Sequence, residues 1–296
     1  MKTREAVAWA GHAVAAAWLL ARHAARAVRR ARAGRERVLG VIPARYGSTR
    51  FPGKPLAEIG GKPMVWHTYT NAKESARLAK LVVATDDERI AEAVRGFGGE
   101  VVMTSETCVN GTERCLEVLQ ALEARGERYD VVVNIQGDEP FIEGKHIDCV
   151  ADVVAGGSEA VMGTLARPAL PDDAADVTGV NNVKVVLDVD GYALYFSRAM
   201  IPHNKKGRYD PGTKYWRKLG IYSYKAAFLP EYIKMPASLL QQAEDLEQNK
   251  VLEAGRRIKV GIVSDAVHGV DTPEQLAHLN ELYARGELGG HGTATA

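Results

Sequence analysis

Between residues 38 and 285 the chain alternates two patterns. Short, almost fully apolar runs, "VLGVI" (38–42), "LVVAT" (81–85), "EVVMT" (100–104) and "VVVNI" (131–135), are separated by longer stretches with helical periodicity. Those stretches fall near 63–79, after Asp86 and Asp87 as cap residues, from Thr112 to about Arg125, and near 144–155. Runs of four to eight apolar residues are strands buried on both faces, and amphipathic helices between them cover a sheet whose strands run mainly parallel. The pattern therefore predicts a doubly wound α/β protein. Beyond residue 155 it loosens: "EAVMGTLA" is a strand candidate, and "VKVVLDVDGYALYFSR" (183–198) reads as a hairpin turning at Asp190-Gly191, which makes the sheet mixed. A helix at about 238–254, the strand "IKVGIVS" and a helix near 273–285 complete the pattern, and 287–296 reads as a tail.

Residues 1–37 follow another rule. An alanine-rich apolar stretch (6–21) precedes "RHAARAVRRARAGRER", where Arg22, Arg26 and Arg29 share one helical face. The apolar part is shorter than the roughly 20 residues needed to cross a bilayer. Three readings stay open: a targeting segment, a membrane anchor with a basic flank, or a mobile extension. Nine Lys or Arg against two acids give this segment +7, which leaves the remainder at −6 against a total of +1. An acidic body argues against nucleic-acid binding, which needs a basic footprint on the folded domain. The chain thus divides into 1–37, a folded domain at 38–286, and the tail at 287–296. Cys108, Cys115 and Cys149 form no CxxC pair, so buried or idle thiols are expected.

In open α/β sheets ligands gather at the carboxyl ends of the strands, so the loops after Ile42, Thr85, Thr104 and Ile135 should converge. The first, within "IPARYGSTRFPGKPL", carries Arg45, Arg50 and Lys54. A charge run is ordinarily a solvated surface, but at a first strand end it suits phosphate oxygens. It is neither a Walker motif nor a GxGxxG fingerprint, since the spacing and the hydroxyl after lysine are both wrong. "QGDEP" (136–140) sets Asp138 just past an apolar strand, where a carboxylate is costly unless it meets a cation or donors. "HGVDTP" (268–273) adds Asp271, or else Asp271 or Thr272 simply caps the last helix. Two aspartates, a basic cradle and no histidine or cysteine cluster point to oxygen-ligated Mg2+ working on a nucleoside triphosphate. "DLEQ" (245–248) reads as part of an amphipathic helix with a solvated face, and "LGIYSY" (219–224) as a core strand with Tyr222 and Tyr224 on one side.

These motifs, with "VVATDDERIAEA", "NGTER" and "VKVVLDVDGYALYFSRAMIP", resemble in order and spacing the CMP-Kdo synthetases (3-deoxy-manno-octulosonate cytidylyltransferases), from about Val38 to about Arg285. The resemblance implies a Rossmann-like nucleotidyltransferase fold with a smaller inserted sugar-binding and dimerisation region. It also implies that CTP and 3-deoxy-manno-octulosonate (Kdo) react to CMP-Kdo and pyrophosphate, with Mg2+ on Asp138 and Asp271. Nucleotide contacts would come from Ala44, Arg45, Ser48, Arg50, Lys54, Asn110, Gly111, Gln136 and Asp138, with Arg45, Lys54, Asp138 and Asp271 carrying the chemistry. Sugar contacts would come from Tyr222, Glu247 and Gln248, with Arg114 facing the carboxylate and Asn181, Lys184 and Lys218 lining the cleft. Lys218 stands where the family usually has histidine, and Asn249 where it has an apolar residue. An extension ahead of the catalytic domain resembles plant-type members and implies mitochondrial membrane association; a homodimer is implied as well.

Two other readings remain at this stage. A CMP-acylneuraminate synthetase or other sugar nucleotidyltransferase would share the fold, though "NGTER" with "DLEQ" favours Kdo. A non-catalytic nucleotide-sugar-binding protein has Lys218 in its favour and both aspartates against it.

Overall fold

In the computed structural model the described residues are 34, 36–47, 51–169, 174–264, 269–270 and 272–286. Expectations that fall on residues 1–33, 35 and 287–296 lie outside them.

Strand β1 (Val38–Pro43) is the hub of the sheet. It pairs in parallel with β4 (Leu78–Thr85) on one side and with β6 (Val131–Asn134) on the other. β5 (Val101–Met103) extends the β4 side, again in parallel. β2 (Glu58–Ile59) and β3 (Lys62–Pro63) form a separate small hairpin. The apolar runs alternate as a strand requires. Leu39, Val41, Val82 and Val132 enter one core cluster with α3 (Gly111–Glu123), through Cys115, Val118 and Leu122. Val38, Ile42, Val83 and Val133 enter the other. That second face is covered by α1 (Met64–Ala72), α2 (Glu88–Gly96) and α4 (Gly144–Val154), through residues such as Val65, Ile90 and Ile147. Burial on both faces is what the unbroken apolar runs encode.

The remaining strands make the sheet mixed. β10 (Trp216–Lys225) lies antiparallel between β6 and β7 (Met162–Pro168), and β11 (Ile258–Ile262) closes that edge in parallel with β7. The hairpin β8 (Lys184–Leu187) and β9 (Ala193–Ser197) attaches through β8 to the start of β10, and Gly191 in its turn has φ 77°. A short helix α5 (Ala174–Thr178) precedes it.

Two sequence expectations change. The helix placed near 63–79 stops at Ala72, because residues 75–78 are taken by a turn on Asp148, whose carboxylate accepts from Ser75 Oγ (2.5 Å) and the Arg77 amide (3.0 Å). β4 consequently starts at Leu78, ahead of the expected Leu81. The helix expected at 238–254 is two short ones, α7 (Leu239–Glu244) and α8 (Asn249–Glu253), with α6 (Leu229–Lys234) before them. Asp245 breaks the run by taking φ 50°, a left-handed conformation that Asp tolerates better than most residues. The last helix, α9 (Pro273–Ala284), starts as expected, with Thr272 as its cap accepting from the Gln275 amide.

Candidate active site

β1 leads to β4 on one side of itself and lies beside β6 on the other, so the carboxyl ends of β1 and β6 flank a topological switch point. The loops there are pinned. Gly137 lies so close to β1 that a Cβ would meet the Pro43 carbonyl oxygen at 2.8 Å, so glycine alone fits. Asn71 of α1 donates to the Pro140 carbonyl (2.8 Å), and the Val270 amide donates to the Asp138 carbonyl (2.8 Å), which ties "QGDEP" to the segment before α9. The basic loop is closed at its base by the Gly53 amide on the Tyr46 carbonyl (2.9 Å), Gly53 having φ 71°. Arg89 of α2 lies 3.4 Å over the Tyr46 ring.

Two cavities open at this end of the sheet. The first, about 350 Å3, is lined by Ala44, Arg45 and Lys54 from the basic loop, by Asn110, Gly111 and Arg114 at the start of α3, and by Gln136 and Asp138. The second, about 520 Å3, is lined by Lys218, Tyr222, Gln248, Arg198 and Glu139 among others. Gln136, Asp138 and Glu247 border both. The cleft is thus one basic chamber and one mixed chamber joined over two carboxylates.

At the junction Lys54 Nζ donates to Asp138 Oδ2 (2.7 Å) and to the Val270 carbonyl (2.8 Å). The pair is partly exposed, so it keeps contact with whatever enters the cleft. A carboxylate here is a hard oxygen donor, and Mg2+ sites commonly use one or two carboxylates together with substrate phosphates. The donor chemistry therefore fits the ion. Asp271, the other carboxylate of the sequence reading, lies outside the described residues, as do Ser48 and Arg50. Among the described residues no group of three or more His, Cys, Asp or Glu is placed to hold a metal.

The second chamber is built by the helix break. Past Asp245 the chain turns "LEQ" inward, which leaves Gln248 buried and Glu247 half-buried where a solvated helix face was expected. Tyr222 donates to Gln248 Oε1 (3.1 Å), and Tyr232 donates to Glu247 Oε2 (2.7 Å). Lys218 places its ammonium 4.2 Å over the Tyr222 ring, and burial pushes its pKa down to about 8 against the opposing pull of Glu247 and Glu139. Tyr222 is thus both a core residue of β10, as its pattern predicts, and part of a cavity wall.

Three expected sugar contacts are placed elsewhere. Arg114 lines the first chamber, and its guanidinium is spent on Asp86 Oδ2 (2.5 Å), Thr104 Oγ1 (2.7 Å) and the Ser105 carbonyl (3.3 Å). Lys184 is fully buried and donates to the carbonyls of Gly179 (2.9 Å), Asn182 (2.5 Å) and Arg198 (2.5 Å), so it ties loops together away from both chambers. Asn181 is exposed and lines neither. Asn110 caps α3, accepting from the Glu113 amide (2.9 Å), while also lining the first chamber. Cys108 borders that chamber as well, its thiol pushed up to about 11 chiefly by burial, which keeps it protonated and inert, as expected of an idle thiol.

The cytidylyltransferase family model matches residues 39–258. The Arabidopsis thaliana protein named 3-deoxy-manno-octulosonate cytidylyltransferase, mitochondrial, is 51% identical over 248 residues, 84% of this chain and 83% of that one. The Protochlamydia amoebophila 3-deoxy-manno-octulosonate cytidylyltransferase is 48% identical, over 82% of this chain and 93% of its own. The chain belongs to the CMP-Kdo synthetase family. Among solved structures, a CMP:2-keto-3-deoxy-manno-octonic acid synthetase complexed with CTP superposes with TM-score 0.76 at 37% identity, over 84% of this chain and 99% of that one.

For a CMP-Kdo synthetase, the residues that sequence reasoning passed over are Arg198 and Glu139, both on the wall of the second chamber. Arg198 follows β9 directly, and its Nε donates to the Glu244 carbonyl (2.7 Å), which locks the end of the hairpin to α7. Its signal was in the quoted run "ALYFSR": a cation immediately past an apolar strand, the same logic that singled out Asp138.

Proposed function

We propose that this chain transfers the cytidylyl group of CTP to Kdo, giving CMP-Kdo and pyrophosphate. The observation that carries the reading is the pair of chambers joined over Asp138 and Glu247, in a chain about half identical to proteins named for this reaction. The basic chamber takes the nucleotide, with Arg45 and Lys54 toward the phosphates and Asn110, Gly111 and Gln136 toward the base. The mixed chamber takes the acid sugar. Lys218 and Arg198 are the cations on its wall for the carboxylate, and Tyr222, Glu247 and Gln248 offer partners for hydroxyls.

The anomeric hydroxyl oxygen attacks the α-phosphorus from the side opposite the bridging oxygen. The new O–P bond forms as the bond to pyrophosphate breaks, and the hydroxyl proton leaves to solvent. Lys54, held on Asp138, brings positive charge to the junction without moving, and fixed charge of this kind is the main source of rate in phosphoryl-group chemistry. Asp138, with Asp271, would hold Mg2+, which when bound neutralises phosphate oxygens and makes the attacking hydroxyl easier to ionise. No dedicated protein base is required.

The relative from Arabidopsis carries "mitochondrial" in its name, and we extend that to this chain through residues 1–37. Among the described residues no helix is long and apolar enough to cross a membrane. Membrane association is assigned to the same N-terminal segment, and the protein is proposed to act as a homodimer, which light scattering would report as about twice 32.1 kDa. The direct test of function is pyrophosphate release with CTP, UTP or ATP against Kdo or N-acetylneuraminate, with and without Mg2+. Release with CTP, Kdo and Mg2+ alone is expected. Release with N-acetylneuraminate in preference to Kdo would replace the sugar assignment, and silence with every pair in folded protein would favour binding without turnover.

A further inference from the structure

Glu247 borders both chambers, yet it sits on the short linker between two helices of six and five residues. Such a side chain has rotamer freedom to lose. Something must fix it if it is to meet a substrate in one geometry. The partner that does so comes from α6, fifteen residues earlier: the Tyr232 hydroxyl donates to Glu247 Oε2 at 2.7 Å. A donor to one carboxylate oxygen sets the plane of the group and leaves the other oxygen for the cleft.

Tyr232 is itself immobilised. It is fully buried, with the Tyr224 ring tilted against it at 5.5 Å, Phe228 edge-on at 6.1 Å, and the Lys250 ammonium 3.8 Å from its ring centre. Burial and the neighbouring Glu247 charge push its phenol far above the ordinary range, so at any working pH the hydroxyl is a donor. Tyr224, on the same cluster, shares a hydrogen bond (3.2 Å) with Thr112 in the first turn of α3, beside Asn110 and Gly111. The support under Glu247 is therefore continuous with the helix that lines the nucleotide chamber.

We infer that Tyr232 is a positioning residue for this reaction: its hydroxyl orients the Glu247 carboxylate at the chamber junction so that the free oxygen meets a sugar hydroxyl. The inference rests on the proposed Kdo transfer. Its ring carries packing and its hydroxyl carries orientation, and the two roles separate in a single variant, because Tyr232→Phe keeps the ring.

The test is a double-mutant cycle on the full chain with Tyr232→Phe, Glu247→Gln and both together, reading kcat and KM for Kdo at saturating CTP, the Kd of CTP by calorimetry, and thermal melting. Tyr232→Phe is expected to lower kcat/KM for Kdo roughly tenfold or more, the scale of a hydrogen bond to a charged group, and to leave the CTP Kd unchanged. The double variant should lose no more than Glu247→Gln alone, since the hydroxyl acts only through that carboxylate. Losses that multiply instead, an unchanged kcat/KM in Tyr232→Phe, or a Tyr232→Phe chain without a cooperative melt would each overturn the inference. A wild-type chain that turns over no Kdo, whatever the variants do, would overturn the functional reading and this inference with it.

Discussion

Asp138 and Lys218 show how one side chain's surroundings set its chemistry. Asp138 borders both chambers and is held by Lys54, so its removal frees a cation at the junction and deletes the described hard-oxygen donor proposed for Mg2+. Asp138→Ala should lower pyrophosphate release by roughly a thousandfold, as loss of a central charge in such sites does. Lys54 keeps the Val270 carbonyl, so the melting temperature should move little. Retained turnover in that variant would remove Asp138 from the proposed metal role. Lys218 faces Glu247, Glu139 and Arg198, and burial has brought its pKa to about 8. If its charge meets the sugar carboxylate, kcat/KM for Kdo falls as pH rises through about 8, and Lys218→Gln abolishes that descending limb while lowering the plateau. The same limb surviving in Lys218→Gln would assign it to another group. The sign for stability is opposite: between about 8 and 10.5 the folded chain carries fewer protons here than the unfolded one, so this group makes stability rise with pH across that window.

Elements place these residues, and one of them hinges on a single backbone angle. At φ 50° Asp245 separates α7 from α8 and turns Glu247 and Gln248 toward the cleft. A β-branched residue resists that angle, so Asp245→Val should cost about 1–2 kcal/mol in denaturant unfolding and raise the KM for Kdo. Asp245→Gly, which takes the angle freely, should keep the KM near wild type; an equal rise in both variants would mean that the carboxylate of Asp245, rather than the bend, matters. This is also where reading the sequence fell short. The apolar spacing from Leu239 to Leu252 continues through the break, so periodicity reports one helix, and only the tolerance of Asp for left-handed backbone hints otherwise. Strands β1, β4 and β6 were legible because burial on both faces forces unbroken apolar runs. Asp138 and the basic loop were legible because charge directly after such a run is conspicuous. Arg114 and Lys184 were misplaced for the converse reason. A buried cation satisfied by a carboxylate or by three carbonyls has the same letter as one that meets a substrate, and its partners lie up to 28 residues away in sequence.

Across the whole molecule the sheet divides where its direction changes. β1, β4, β5 and α3 frame the side proposed for the nucleotide in parallel, while β10, β7 and the β8–β9 hairpin frame the side proposed for the sugar through antiparallel pairing. The two sides meet at β6 and β10, with Asn134 opposite Tyr222. A defect deep in the sugar side should therefore reach Kdo before it reaches CTP. Lys184 is the place to introduce one, because its ammonium gathers the carbonyls of Gly179, Asn182 and Arg198 and so joins the loop after α5 to the end of the hairpin. Lys184→Met fills most of the volume but leaves three partly buried carbonyls without their donor, a loss of roughly 1–3 kcal/mol. Arg198, whose own carbonyl is one of the three, would lose its fixed place on the wall of the second chamber. The expected outcome is a lower melting temperature, a raised KM for Kdo and an unchanged CTP Kd by calorimetry. Weakening of CTP to the same degree would show that the two sides of the sheet respond as one unit.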